Sequence, residues 1–307
     1  VQSFAILLKS YRGDLDLAKR LIASFNAFNP ESIHLFALVP AEDLELFAGF
    51  QSDTITVLSE EPLAHHFTAE PLAGIRPGYI NQEIVKLSFW ELGLAENYFC
   101  VDSDAVFVRP ISRDDFMLDE TTPFTVLVED NELKVEPRYY AQHWQGREVH
   151  LRRIQELVGI NDRRILTCHG HQIFSATVLR SLKTDLMEPR GWDYKDMLAE
   201  APYEFTWYNM WLQKSRVIPI AMREPLVKVF HHEEQQVEYA LRGITNEDIA
   251  RGYVALVVNS NYARSQSKQS TEDTAADTLA RYVPVTSLLR AIVIKAGAPL
   301  ARRFNRG

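Results

Sequence analysis

A chain of 307 residues that is 46% hydrophobic and 24% charged has the make-up of a globular protein with a sizeable buried core, and a disordered chain is excluded. The net charge is −8, yet residues 281–307 hold Arg281, Arg290, Lys295, Arg302, Arg303 and Arg306 with no acid, which leaves the remainder at −14. An acidic body excludes sequence-independent nucleic-acid binding, which needs Lys and Arg to displace counterions.

Phe4–Leu8 is a short apolar run, the mark of a buried strand, and Val1–Lys9 lacks the basic start and long apolar stretch of a signal peptide. Ser10–Asp14 turns the chain, and Leu15, Ala18, Leu21, Ile22 and Phe25 then recur at helical spacing. Ile33–Val39 reads as a second strand, Ala41–Phe50 as a short helix and Thr54–Leu58 as a third strand. Strand, helix and strand in this order imply a parallel sheet covered by helices.

Residues 59–78, with Pro62, Pro71, Gly74, Pro77 and Gly78, read as a long loop, and His65 and His66 within it as solvated. Asn81–Leu92 reads as an amphipathic helix closed by Gly93, and Tyr98–Val108 as one strand interrupted by two carboxylates. Further on come a strand at Thr125–Val128, a charged and mostly helical stretch clearest at Val149–Val158, and an apolar run at Ile173–Leu179. Helices follow at Trp192–Ala199 and Tyr203–Gln213, then strands at Arg216–Ala221 and Leu226–Phe230 and a short helix from Asn246. Residues 264–280 form a polar linker between a body spanning 1–263 and a basic apolar helix at 281–307.

Cys100 and Cys168 make no disulfide framework, and Cys100 sits in a core strand. Reduced thiols fit a cytoplasmic protein. The basic, apolar tail suits an anionic lipid surface, which places the chain at the inner face of the cytoplasmic membrane. No uncharged stretch reaches the ~18–20 residues that span a bilayer.

Asp102 and Asp104 carry the most chemistry. Residues two apart in a strand point to one face, so the pair converges. Unpaired carboxylates among apolar residues are costly. A hard dication, Mg²⁺ or Mn²⁺, whose shell is completed by diphosphate oxygens removes that cost. Ligands of open α/β sheets also bind beyond the carboxyl ends of strands, where this pair lies.

The segment Tyr98-Phe-Cys-Val-Asp-Ser-Asp-Ala-Val-Phe-Val-Arg-Pro110 resembles the Asp-X-Asp strand of GT-A glycosyltransferases. It is most similar to that of a bacterial family known as a domain of unknown function, DUF6492, in which a helix bearing Gln and Lys precedes the acidic strand, as Gln82 and Lys86 do here. The resemblance covers residues 4–260. It implies a Rossmann-like GT-A fold with a mixed, mainly parallel sheet, a nucleotide-sugar donor and a divalent metal on Asp102 and Asp104, with Ser103 between them beside the donor. It further implies that Ser10, Tyr11 and Arg12 line the nucleotide pocket, Tyr11 on the base and Arg12 on phosphate, while Asp14 caps the next helix. Lys86 would reach the diphosphate, and His171 and Gln172 would bond sugar hydroxyls. One of His231 and His232 would add a third metal ligand. Glu204 would deprotonate the acceptor or hold the donor sugar, with Asp104 beside the reacting centre.

The expected reaction is hexosyltransferase-like: a sugar passes from a nucleoside diphosphate, UDP above others, to a hydroxyl of a glycan or lipid-linked glycan, as in bacterial surface polysaccharide synthesis. A sugar nucleotidyltransferase would show a Gly-rich loop after the first strand, whereas Ser10–Asp14 has a single Gly. A phosphatase of the haloacid dehalogenase type would carry its acidic pair at the first strand. The remaining rival is a carbohydrate-binding domain of the same fold without turnover. Trp207, Tyr208 and Trp211 sit at helical spacing, which marks core more often than a sugar platform.

Overall fold

Short apolar runs bounded by turn residues are long enough for strands and too short for buried helices. In the computed structural model, which describes residues 1–129, 145–168, 170–230, 235, 239 and 242–259, they form β1 (Ala5–Lys9), β2 (His34–Val39), β3 (Ile55–Ser59) and β4 (Asn97–Asp102). These strands pair in parallel, with Leu7 of β1 set against Phe36 of β2 and Cys100 of β4. Ala5–Leu8 is buried throughout, as expected of a parallel strand covered on both faces.

The connections are helical. In α1 (Leu15–Ala27), Ala18, Leu21, Ile22 and Phe25 face inward as their spacing predicts. Asp14 stands at the N-cap position without a side-chain capping bond. A short α2 (Leu44–Phe47) lies between 3₁₀ turns. Next, α3 (Pro77–Ser88) starts on a proline, whose missing N–H costs nothing there, and it buries Ile80, Ile84, Val85 and Leu87. A 3₁₀ turn, Phe89–Leu92, follows and ends at Gly93 in the left-handed region, φ 64°.

The main sheet runs β3-β2-β1-β4-β7, with β7 (Ile173–Ser175) antiparallel to β4 at the edge. The chain fills β2 and β3 on one side of β1 and then crosses to place β4 on the other. This reversal makes the carboxyl ends of β1 and β4 a topological switch point, where open α/β sheets leave a ligand crevice. The fold is therefore the Rossmann-like α/β arrangement expected, mixed and mainly parallel.

Two short strands, β6 (Phe124–Val126) and β8 (Ala221–Arg223), pair in parallel apart from that sheet. The helices α4 (Gln145–Val158), α5 (Ala176–Ser181), α6 (Tyr194–Glu200) and α7 (Glu204–Ser215) complete this unit, which comprises Val1–Ser103 and Pro110–Pro225. The aromatic stripe of α7 is core: Trp207 and Tyr208 are fully buried, and the Trp207 indole donates to the Ala201 carbonyl at 2.8 Å. A second unit comprises Asp104–Arg109 and the chain from Leu226 onward. Its described part has β5 (Ala105–Phe107), β9 (Val227–Phe230) and β10 (Ala255–Val258) in the order β5-β10-β9, with α8 (Asn246–Ala250) started by a Thr245–Asp248 capping box.

The structure corrects several expectations. The single strand Tyr98–Val108 is two strands in different sheets, because Asp-Ser-Asp makes a turn after Asp102 rather than continuing the ladder. Strand alternation is thus not what orients Asp102 and Asp104. The strand expected at Arg216–Ala221 begins only at Ala221, since Arg216 ends α7 in the left-handed region with φ 53°. Within the expected loop, Glu61–His66 is a 3₁₀ helix and His66 is buried. β10 had no counterpart among the expected elements. His231, His232, the linker 264–280 and the tail 281–307 lie outside the described residues. No helix among the described residues is long and apolar enough to cross a membrane.

Candidate active site

Asp102 is the last residue of β4, in register with Lys9 of β1, so its side chain stands at the switch point. Its Oδ1 accepts from Gln82 Nε2 at 3.0 Å and lies 3.0 Å from Lys86 Nζ. Gln82 and Lys86 are four apart on α3 and reach the same carboxylate, as their shared helical face predicts. The Lys86 ammonium also donates to Glu204 Oε1 at 3.1 Å and sits 4.9 Å from the Phe205 ring centroid. One buried cation therefore joins a carboxylate at a strand end to one in the first turn of α7.

Burial alone would lower the pKa of Lys86, but the Asp102 and Glu204 carboxylates outweigh it and hold the value well above the ordinary lysine range. Burial pushes Asp102 up, and Lys86 first, then His171 and Gln82, bring it below the ordinary aspartate value. Both partners stay charged. Such a buried pair is stable only while complete.

His171 stands on the other side of Asp102, with Nε2 3.8 Å from Oδ2, too far for a hydrogen bond. Both of its ring nitrogens are buried with no hydrogen-bond partner among the described residues. Burial brings its pKa down to about 4, with Asp102 opposing and Lys86 assisting, so the ring is neutral at neutral pH. A neutral imidazole offers one donor and one acceptor.

Glu83 was not anticipated. It is 2% exposed, and neither carboxylate oxygen has a hydrogen-bond partner among the described residues. Burial, followed by the charge of Glu204, raises its pKa well above the ordinary glutamate value, although Lys86 pulls the other way. The same surroundings, burial first and then Glu83 and Glu204, raise the pKa of the Tyr79 phenol. Nothing in the local sequence marks Glu83, because a Glu three residues before a Lys is an ordinary pair on a solvated helix face.

The remaining expected residues divide. The Ser10 and Ser103 hydroxyls meet at 3.0 Å across the ends of β1 and β4, both buried. The Tyr11 ring folds over Gly13, where an added Cβ would come within 2.5 Å of it. The Arg12 guanidinium is committed to Asp43 through Nε at 2.6 Å and to the Glu42 carbonyl at 3.2 Å, which pins the β1–α1 connection to the start of the segment after β2. Gln172 is saturated. Its oxygen accepts from the backbone of Val126 and Ile173, and its amide nitrogen donates to the Val126 carbonyl and to Asn209. That leaves no group on Gln172 for a sugar hydroxyl. Cys168 is a buried structural thiol that donates to the His171 carbonyl at 3.1 Å.

A profile described as a family of unknown function, DUF6492, matches residues 4–250. The chain belongs to the DUF6492 family. Among solved structures, this DUF6492 chain is similar to mouse xyloside xylosyltransferase 1 in its apo form, at 11% identity and a TM-score of 0.49, over 84% of this chain and 98% of that one. It is also similar to the apo structure of the bifunctional glycosyltransferase WbbM, at 9% identity and a TM-score of 0.44, over 96% of this chain and 52% of that one. No curated protein sequence matches it.

The donor chemistry at the end of β4 fits a hard dication. Gln82 and Lys86 take Oδ1 of Asp102, while Oδ2 lies 3.8 Å from His171 Nε2, and the carboxylate is 36% exposed. Asp102 Oδ2 is therefore the atom at this strand end best placed to meet a cation, and Asp104 follows half-buried in the turn two residues on. Few protein carboxylates completed by phosphate oxygens and water suit Mg²⁺ or Mn²⁺.

Proposed function

We propose that this DUF6492 protein is a glycosyltransferase of the GT-A type, moving a sugar from a nucleoside diphosphate, foremost UDP, to a hydroxyl of a glycan or lipid-linked glycan. The observation that carries this reading is the set of buried polar atoms without partners around the Asp102–Lys86–Glu204 chain: both nitrogens of His171 and both oxygens of Glu83. A buried donor or acceptor left unmatched costs about 1–3 kcal/mol. A polyhydroxylated ligand offers hydroxyls that both donate and accept, and so matches a neutral imidazole and a protonated carboxyl together.

In this reading Asp102, through Oδ2, and Asp104 hold Mg²⁺ or Mn²⁺, with one of His231 and His232 as a further ligand. The metal, when bound, supplies Lewis-acid neutralisation of the departing diphosphate. Lys86 holds Asp102 in place and adds fixed positive charge where diphosphate charge develops. Ser10, Tyr11 and Ser103 line the nucleotide end at the switch point, and the commitment of Arg12 to Asp43 gives it the part of fixing the loop that carries Tyr11. His171 meets sugar hydroxyls, and Glu204, at the mouth of α7, accepts the acceptor's proton or holds the donor sugar. The basic segment 281–307 brings the enzyme to anionic lipid, where a lipid-linked acceptor is presented.

The test is UDP release from a panel of UDP-sugars with Mn²⁺ and with EDTA. Release from at least one donor is expected with metal only, and Asp102→Asn abolishes it. Metal-dependent binding of a UDP-sugar without any release would instead favour the carbohydrate-binding rival. If no donor is bound or cleaved, the reading fails.

A further inference from the structure

His65 and His66 end the 3₁₀ helix Glu61–His66, and their rings lie side by side with centroids 3.8 Å apart. Facing them is Glu91, in the 3₁₀ turn Phe89–Leu92 that follows α3. One ligand atom from each of the three side chains falls within 4.8 Å of the others. His66 Nε2 and Glu91 Oε2 stand 3.2 Å apart. Metal–ligand bonds of about 2.0–2.1 Å at the tetrahedral angle place neighbouring ligand atoms about 3.3–3.4 Å apart. That edge is already formed.

The surroundings orient the ligands as metal sites require. His65 Nδ1 lies 3.1 Å from the Pro62 carbonyl, an acceptor only, so Nδ1 carries the proton and Nε2 presents its lone pair. The other oxygen of Glu91 is held by the Tyr194 hydroxyl at 2.7 Å and the Lys183 ammonium at 2.9 Å, which fixes the carboxylate and turns Oε2 toward His66, whose Nε2 it hydrogen-bonds in the metal-free chain and would share with a metal. The Tyr194 ring packs edge-on against His66 at 4.8 Å between centroids. His66 is buried and Glu91 half-buried, whereas His65 is exposed and leaves the site open to solvent on its side.

We propose that His65, His66 and Glu91 form a second metal site, sharing no residue with the Asp102 group. Two imidazoles and one carboxylate select a borderline transition dication, Zn²⁺ above all, over Mg²⁺ or Mn²⁺. A water takes the fourth position on the exposed side of His65. The bound ion ties the segment Glu61–His66 to the turn that leads into β4. Lys183 offsets part of the Glu91 charge, so the site exchanges its metal with chelators and is not a permanent staple.

Co²⁺ titration of the EDTA-treated full-length protein tests this, because four-coordinate Co²⁺ gives an intense visible absorption band, and Zn²⁺ competition against a chromogenic chelator then gives the affinity. One equivalent of Co²⁺ should produce the band in the unaltered protein and in Asp102→Asn alike, and Zn²⁺ should bleach it. His65→Ala removes an exposed side chain, so the fold is kept; it should weaken Zn²⁺ binding by at least about tenfold and suppress the band, as should Glu91→Gln. The proposal is overturned if the unaltered protein binds no stoichiometric Co²⁺. It is equally overturned if His65→Ala binds Zn²⁺ as tightly as the unaltered protein, or if Asp102→Asn removes the band.

Discussion

Lys86 is the side chain on which the charge balance of the candidate site turns. It is 4% exposed and serves Asp102 and Glu204 at once, so its loss leaves two carboxylates at the site without their cation. Removing one partner of a buried ionic group costs about 3–5 kcal/mol, because the remaining charge stays desolvated. Lys86→Met should therefore lower the urea midpoint strongly at pH 7, with part of the loss recovered at pH 5, where the orphaned carboxylates take up protons. An unchanged midpoint would mean that Asp102 and Glu204 draw their compensation from elsewhere. Glu83 behaves in the opposite sense. Its folded pKa lies well above 4.5, so the folded chain keeps a proton that the unfolded chain loses once the pH passes that value. Glu83 thus contributes stability at low pH that is lost as pH rises through the folded pKa, at up to about 1.4 kcal/mol per pH unit. Glu83→Gln, neutral at every pH, should match the unaltered protein near pH 4 and exceed it at pH 8 in urea unfolding. Equal pH profiles for the two would show that Glu83 ionises freely.

Elements set these residues in place, and they differ in how far the sequence discloses them. The helix-spaced apolar positions of α1 and the uninterrupted runs of β1, β2 and β3 were legible because burial on one stripe, or on both faces, writes its own period. That Gln82 and Lys86 lie near the end of the acidic strand was legible, but Lys86 was expected on the donor diphosphate, and the contact of both side chains with Asp102 came only with the structure. What was hidden depends on contacts between distant segments. The break after Asp102 follows from Ala105–Phe107 pairing with Ala255–Val258, some 150 residues later, which no local pattern records. Glu83 drew no expectation from the sequence, because its environment is set by neighbours that include Glu204 of α7. Gln172 is the instructive case: polar and next to His171, it suggested sugar binding, yet it ties the start of β7 to β6 and α7 through three hydrogen bonds and makes a fourth to its neighbour Ile173. Gln172→Ala would strand the buried Val126 amide and Asn209 Oδ1, while the Val126 carbonyl keeps the Asn209 amide at 3.3 Å, at about 1–3 kcal/mol for each group left unmatched. A fall in thermal midpoint is expected with an unchanged KM for the donor. A raised KM with unchanged stability would return Gln172 to the sugar-binding set.

At the scale of the whole molecule, charge decides how a nucleotide is admitted. Apart from the tail, the chain carries −14, and a nucleoside diphosphate brings further negative charge, so long-range electrostatics oppose the approach. Under the proposed function the attraction is local, from Lys86 and from the dication proposed at the acidic pair. This predicts an inverted salt effect. Without metal, raising ionic strength screens the repulsion over the roughly 8–10 Å Debye length and should slightly strengthen the weak binding of UDP, whereas a site built on an extended basic surface would lose affinity. With Mn²⁺ the balance changes, because the ion cancels diphosphate charge at contact and the complex stabilises the native state by mass action. That stabilisation amounts to about 2.7 kcal/mol at a ligand concentration a hundredfold above Kd. Thermal unfolding should accordingly shift upward with UDP and Mn²⁺ together, stay flat with UDP in EDTA, and lose its response in Asp102→Asn. A shift of equal size in EDTA would place the attraction in protein cations alone and remove the metal from the account of binding.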